Sequence, residues 1–346
     1  MNKDIISSQE FINFNFNRIE NKIDKNITTY KSYIFIFSMF SIILPTFNRA
    51  HRITKAIESV LQQTFTNWEL IIIDDASTDN TEELIQPYLS DSRIRYIKNE
   101  RNQERCVSRN IGVNAAKGDY ICFLDSDDYH LPHHLESFYN FLKTNNFPKA
   151  FLFSNSFNET ENGERSDRVC PPFESVDRFT YFLRFTVNPQ RWCVHRDLLL
   201  EHHFDPNVTI CEDMDTSLRI AAAGIPIHQI SDRTTVYVAA SDSFTHGDTK
   251  KWEKELFYLK RIFAKPILKT HLPGKEKRRL LSMCYFHLGQ QAFLQSNRKQ
   301  TWNYLLRSFL FFPKGYNGQT NKIMFVSLLY SVPLIGKSIK HIKHGF

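Results

Sequence analysis

Ile121-Cys122-Phe123-Leu124-Asp125-Ser126-Asp127-Asp128 is the stretch whose reading decides the fold. An apolar run with strand character ends in three carboxylates within four residues. Carboxylates packed that closely repel one another and lower stability unless something positive sits among them. A hard divalent cation taking oxygen ligands, and sharing its coordination with a substrate phosphate, would relieve that repulsion. The position is apt, because open α/β sheets bind ligands at the carboxyl ends of their strands. Alone, the octapeptide reads equally well as an acidic loop after a strand, so the rest of the chain has to decide.

Outward from this stretch, strand and helix signals alternate from residue 41 onward. Residues 41–44 predict a buried strand closed by Pro45-Thr46-Phe47-Asn48-Arg49. Apolar residues at Ile53, Ala56, Ile57, Val60 and Leu61 form a helical stripe. Residues 70–73 predict a second strand ending in Asp74-Asp75, and 77–83 carry an N-cap signature. A third strand is expected over 94–97. A helix from about 106 to 116 should stop before Gly118, and the strand ending at Asp125 follows. This βαβαβαβ rhythm predicts an α/β fold, a mainly parallel sheet with helices on both faces. Further on, 151–156 reads as a strand, 158–178 as a polar loop, 213–223 as a helix and 236–240 as a last strand. Helices are expected over 250–263, 276–295 and 300–311, the last two resembling a tetratricopeptide-like hairpin.

The 346 residues allow one large domain or a catalytic domain with an appendage. A hydrophobic content of 42%, with 14% aromatic, supports a substantial core and excludes global disorder. A formal charge of +7 suits an anionic substrate or membrane surface and does not demand nucleic acid. Cysteines 106, 122, 170, 193, 211 and 284 show no metal-ligand spacing and read as reduced core thiols. Residues 1–38 are expected to be an N-terminal extension without signal-peptide design, 39–245 a catalytic domain and 246–346 a helical extension. The apolar stretch 33–44, about a dozen residues, is too short to span a membrane, so a cytoplasmic protein is expected. Near the end, 323–335 is apolar and flanked by Lys314, Lys322, Lys337, Lys340 and Lys343. It reads as an interfacial membrane contact or a packed helix.

Four features occur in order: 41–49, the Asp74-Asp75-Ala76-Ser77-Thr78-Asp79 turn, Arg109-Asn110-Ile111-Gly112 followed by Ala116-Lys117-Gly118-Asp119-Tyr120, and 125–128. With Glu212-Asp213 downstream, the set closely resembles the family 2 glycosyltransferases of GT-A fold, of the bacterial type with a helical C-terminal extension. The resemblance covers about residues 40–240. It implies a nucleotide-diphospho-sugar donor (a UDP-sugar above all), a glycan or lipid-linked acceptor, Mn²⁺ or Mg²⁺, and inversion at the anomeric carbon. By the same resemblance, Pro45, Phe47 and Asn48 would hold the nucleotide base and Asp75 would accept from uracil. Arg109 would sit near the nucleotide, with Asp125 and Ser126 at ribose or sugar hydroxyls. Asp127 would bind the metal, with His246 a further candidate ligand or a plain loop histidine. Glu212-Asp213 matches the family's acidic pair. Asp213 at a helix start would be kept ionised as the general base, and Glu212 would support it.

Each of these residues also has a plainer reading. Asp74 and Asp79 could cap the following turn, Arg109 could be a surface helix residue, and Glu212-Asp213 could simply open a helix electrostatically. The pairs His133-His134 and His202-His203 read as surface residues. Many relatives carry a glycine shortly after the position of Asn102, whereas this chain has Gln103-Glu104-Arg105, which bears on the loop beside the donor. Among other classes, a dinucleotide dehydrogenase lacks its GxGxxG and a P-loop enzyme its GxxxxGK[ST]. A haloacid-dehalogenase-type phosphatase would not place Tyr129 two residues past the second Asp. The remaining alternative is a non-catalytic sugar-nucleotide or glycan-binding module on the same fold.

Overall fold

The computed structural model describes residues 39–239 and 250–313. His246, the extension 1–38 and the segment 323–335 lie outside them. The first half alternates as expected. In order come β1 (Phe40–Thr46), α1 (Ile53–Leu61), β2 (Trp68–Asp74), α2 (Thr81–Ile85), β3 (Ile94–Lys98), α3 (Glu104–Ala115) and β4 (Tyr120–Phe123). The second half brings β5 (Tyr129–His130), α4 (His134–Thr144), β6 (Phe151–Glu159), β7 (Arg165–Arg168), α5 (Arg178–Arg184) and β8 (Trp192–His195). It continues through α6 (Arg196–Glu201), α7 (Glu212–Ala222), β9 (Ile227–Val238) and α8 (Lys251–Ala264) to α9 (Gly274–Leu294) and α10 (Arg298–Phe311).

β1 and β2 are apolar on both sides because they sit centrally and are covered on both faces. Their alternate residues feed two separate cores. Ile43, Ile71, Ile73, Ile121 and Phe123 face α3, with Cys106 and Val113. Ile42, Leu44, Leu70, Ile72 and Cys122 face α1 and α4, with Ile57, Val60 and Phe138. Fully burying one such side chain contributes about 1.5–3 kcal/mol, so a one-residue slip that swapped the faces would be heavily penalised.

Among the described residues the sheet has nine strands and runs β3-β2-β1-β4-β8-β6-β9-β5, with β7 beside β6. Its first four strands are parallel. Beyond β4 the expectation of a mainly parallel sheet needs correction. β8 enters antiparallel between β4 and β6, and β9 is parallel to β6 but antiparallel to β5. The sheet is therefore mixed, with helices flanking it. The expected loop 158–178 also contains a hairpin, β6 with β7. β9 starts at Ile227, well before 236. Its half-exposed segment is polar, so the apolar signal showed only its buried end.

The last two helices do form a hairpin, in which Gly289 lets Leu305 approach and Ser282 Oγ donates to the Ser308 carbonyl (2.9 Å). Among the described residues, no helix is long and apolar enough to cross a membrane. All six cysteines are free, and Cys106, Cys122, Cys193 and Cys284 are buried. His134 corrects the surface reading of its pair. It is fully buried, stacked on His130 at 3.6 Å between ring centroids, with Nδ1 2.8 Å from Thr234 Oγ1.

Gly118 explains part of the motif read from the sequence. A Cβ there would lie 2.8 Å from both the Ser41 backbone nitrogen and its Oγ, in the turn where the Gly118 N–H donates to Ser41 Oγ (2.9 Å). Strand backbone cannot yield, so Gly118→Ala is expected to lower unfolding stability by about 1–3 kcal/mol. Urea denaturation reads this directly, and an unchanged midpoint would contradict the close approach.

Candidate active site

Two turns form one wall at the carboxyl ends of β1 and β2. Asn48 adopts a left-handed conformation (φ +50°), tolerable for its short polar side chain. Its N–H donates to Ser77 Oγ (2.9 Å), and its Oδ1 accepts from the Thr78 N–H (2.8 Å). The Ala50 N–H donates to Asp79 Oδ2 (3.1 Å), while Asp79 Oδ1 accepts from the Thr81 N–H (3.1 Å). Asp79 therefore serves the turn. Burial would raise its pKa, but hydrogen bonds from Thr81 and Ala50 outweigh this and lower it.

Asp74 and Asp75 have different surroundings. Asp74 is buried and accepts from the Ser77 N–H (2.8 Å) and from the Tyr96 hydroxyl (2.5 Å). Asp75 is buried too and accepts through Oδ1 from Asn99 Nδ2 (2.7 Å) and the Gln103 N–H (2.9 Å). Phe47 stands exposed at the rim and Pro45 half-buried behind it. The run Gln103-Glu104-Arg105 places Glu104 in the left-handed region (φ +71°). Glycine would take that conformation freely, whereas a residue with a Cβ does so at about 1–2 kcal/mol.

A second group of carboxylates gathers around one arginine. Arg109, on α3, is only 2% exposed, so it is no surface residue. Its Nη2 donates to Asp125 Oδ1 (2.8 Å) and its Nη1 to Glu212 Oε1 (2.9 Å). Burial works to lower its pKa, but Asp125 and Glu212 prevail and hold it charged. Both carboxylate motifs, 87 positions apart in numbering (212 − 125), thus meet on one guanidinium. Arg105, one turn earlier on the same helix, adds Nη1 at 3.6 Å from Glu212.

The cluster at 125–128 divides its labour. Asp128 is buried and points into the protein, accepting from Gln190 Nε2 and from the Val238 N–H, both at 2.8 Å. Asp127 is half-buried, and Ser126 is buried beside it. The Asp127 carboxyl is raised by burial and then by Asp125, against a pull from Arg49 and Arg52. A bound cation would reverse that penalty. Among the described residues, no group of three or more His, Cys, Asp or Glu forms a metal cage. The oxygen donors of Asp125 and Asp127 are of the kind a hard divalent cation takes, and phosphate oxygens and water commonly complete such coordination.

Glu212 and Asp213 open α7, preceded by Cys211 in the left-handed region (φ +64°). The expectation that the helix start keeps Asp213 ionised is corrected here. Burial, reinforced by the charge of Glu212, pushes its pKa up to about 7, and Arg109 and Arg105 only partly oppose this. A cleft of about 190 Å³ joins Arg109, Asp125, Glu212 and Asp213 with residues missed in the sequence, among them Arg105, Asn188 and Lys251. The i, i+4 spacing of Arg105 and Arg109 would have revealed a shared helix face, whereas nothing in the sequence ties Lys251 to the cleft.

Residues 41–201 match the family described as glycosyl transferase family 2. A glycosyltransferase of Rickettsia felis described as uncharacterized is 45% identical over 146 residues, 42% of this chain and 23% of that protein. The Escherichia coli protein named UDP-Glc:alpha-D-GlcNAc-diphosphoundecaprenol beta-1,3-glucosyltransferase WfgD is 40% identical over 117 residues, 34% of this chain and 45% of that one. The chain thus spans less than half the length of either relative. Among solved structures, S. aureus TarS 1-349 in complex with UDP-GlcNAc superposes with a TM-score of 0.58 at 20% identity, covering 80% of this chain and 82% of that one. That likeness shows the fold, which is GT-A.

The raised carboxyl of Asp213 sets a pH signature. An unfolded Asp releases its proton near 4 and the folded one near 7, so between these values the native state holds the extra proton. The associated stability is present below about pH 4 and is lost as pH rises through about 7. Asp213→Asn, uncharged throughout, should flatten that decline and match or exceed the parent's urea midpoint at pH 8. Parallel pH profiles of the two proteins would show that Asp213 titrates normally.

Proposed function

The chain belongs, through residues 41–201, to glycosyl transferase family 2, and from that premise we propose that it moves a sugar from a nucleoside-diphosphate donor to an acceptor hydroxyl with inversion. The observation that carries this reading is the buried Arg109, whose two carboxylate partners draw the 125–128 cluster and the 212–213 pair into one cleft. The name of the E. coli relative specifies a UDP-glucose donor and a diphosphoundecaprenol-linked acceptor. It supports a UDP-sugar donor and a glycan or lipid-linked acceptor for this chain, in the making of an envelope polysaccharide.

In this mechanism the donor base lies against Pro45, Phe47 and Asn48, with Asp75 accepting from it. Asp125 and Ser126 meet the sugar or ribose hydroxyls, and Arg109 fixes Asp125 in place. Asp127 would hold a divalent cation, Mn²⁺ or Mg²⁺, with His246 a further candidate ligand outside the described residues. When bound, that cation supplies charge neutralisation on the departing diphosphate. Asp213 takes the proton from the acceptor hydroxyl as attack develops. A carboxyl titrating near 7 suits this role, since it is substantially ionised at neutral pH yet basic enough to receive the proton. Glu212, engaged by Arg109 and Arg105, positions the pair. Free thiols throughout support a reducing compartment, and with it the cytoplasmic face of a membrane. Contact of 323–335 with that surface is part of the same proposal.

A screen of nucleotide sugars for metal-dependent nucleotide release tests the whole reading. Asp213→Asn keeps the shape and loses the basicity, so transfer should fall by about 10²–10⁴-fold while calorimetry still detects UDP. Near-parent transfer by that variant would remove Asp213 from the role. Chelator should abolish turnover, and Asp127→Asn should abolish both turnover and its metal response. Full activity in excess chelator would end the cation's part. Asp75→Ala should weaken UDP binding, and an unchanged affinity would take Asp75 out of the nucleotide site.

A further inference from the structure

A second hollow, of about 420 Å³, opens beside the catalytic cleft and shares Thr209 and Ile210 with it. Its volume lies within the range of about 300–1,000 Å³ usual for small-molecule sites, whereas the cleft holding Asp213 is smaller. The other walls are Glu104, at the start of α3, and Glu253, Lys254, Phe257 and Tyr258 of α8. The opposite face of α8 is firmly packed, with Leu259 and Ile262 fully buried. Phe257 is nevertheless 54% exposed, its ring steadied by the edge of Tyr258 (5.2 Å between centroids) and by Arg261 (5.6 Å). Thr209 Oγ1 donates to the Tyr258 hydroxyl (2.9 Å), which ties this wall to the turn leading into Glu212 and Asp213.

The lining selects a ligand class. Two carboxylates face one ammonium, a balance that repels a phosphate or diphosphate group. Carboxylates, a threonine and a tyrosine hydroxyl accept hydrogen bonds from neutral hydroxyls, and an exposed aromatic ring offers the flat apolar surface that a pyranose face covers. We propose that this hollow is a subsite for a neutral sugar of the acceptor, its ring laid on Phe257 and its hydroxyls donating to Glu104 and Glu253. The inference rests on the transferase reading above and deepens it. The acceptor would present a carbohydrate to α8 and an attacking hydroxyl toward Asp213, with any lipid diphosphate lying outside the hollow.

Saturation-transfer NMR on the full chain with UDP present tests this, using methyl β-D-glucopyranoside, methyl N-acetyl-β-D-glucosaminide and α-D-glucose 1-phosphate as probes. At least one neutral glycoside should bind, and more tightly than the 1-phosphate. Phe257→Ala should weaken that binding by about 3- to 10-fold, as expected for loss of a ring contact. Glu253→Gln, which retains the shape, should weaken it as well, and UDP titration reports that each variant is folded. Glycoside binding unchanged in both variants, or tighter binding of the 1-phosphate, would overturn the subsite. Nucleotide release from UDP-sugars by the parent protein is measured separately. Its absence counts against the transferase reading, whereas glycoside binding that depends on Phe257 supports the hollow in either case.

Discussion

The pairing of Arg109 with Asp125 and Glu212 is the interaction on which the rest of the site depends. Burying a guanidinium is costly unless its charge is matched in good geometry. Here the planar fork reaches one carboxylate with each terminal nitrogen, an arrangement that lysine's single ammonium could not reproduce. Phe204 closes over the guanidinium at 5.3 Å. Because α3 holds the arginine, the end of β4 and the start of α7 are both located relative to β1, against which α3 packs through Gly112.

The same pairing separates the two members of the acidic pair. Glu212 is committed to Arg109 and Arg105, while Asp213 meets chiefly desolvation and the charge of its neighbour. Two adjacent carboxylates thereby acquire different proton affinities, a pattern expected where one of them must accept a proton near neutrality. Behind them α7 is pinned by a second charged group. Asp215, fully buried, meets Arg219 Nε at 2.9 Å and Lys265 Nζ at 2.7 Å. The lysine contact is an ion pair rather than an aligned hydrogen bond, since Asp215 Oδ1 has no hydrogen-bond partner. Lys265 also reaches Asp205 (2.8 Å), so the segment that follows α8 braces the helix carrying Asp213.

A like division of labour solves the crowding at 125–128. Asp128 turns inward, where Gln190 and the Val238 N–H anchor the loop to β8 and β9. Asp125, in contrast, faces the cleft. Of the three neighbouring carboxylates, Asp125 is paired with Arg109 and Asp128 is anchored by hydrogen bonds. Burial and the neighbouring charges nevertheless raise the carboxyls of both Asp127 and Asp128, that of Asp128 well above the usual range. In the same way Asp74 and Asp79 hold the turns together, with Asp75 buried between them and Phe47 exposed at the rim.

The parallel half of the sheet and the positions of the acidic motifs are legible from the order of residues. Strands that are apolar on both faces, as at 41–44 and 70–73, announce central parallel strands, and carboxylates at strand ends announce a ligand edge. Both signals are local, a matter of which residues follow one another. The mixed second half was less legible, because the polar stretch of β9 and the short β7 earn their pairing from distant partners rather than from their own apolar pattern. The burial of His134, the raised carboxyl of Asp213, the grip of Arg109 on residues 16 and 103 positions away and the placing of Lys251 and Phe257 beside the cleft belong to the tertiary structure alone. Desolvation and Coulomb energies depend on distance through space and on what excludes water, and neither quantity is written in the order of residues along a chain.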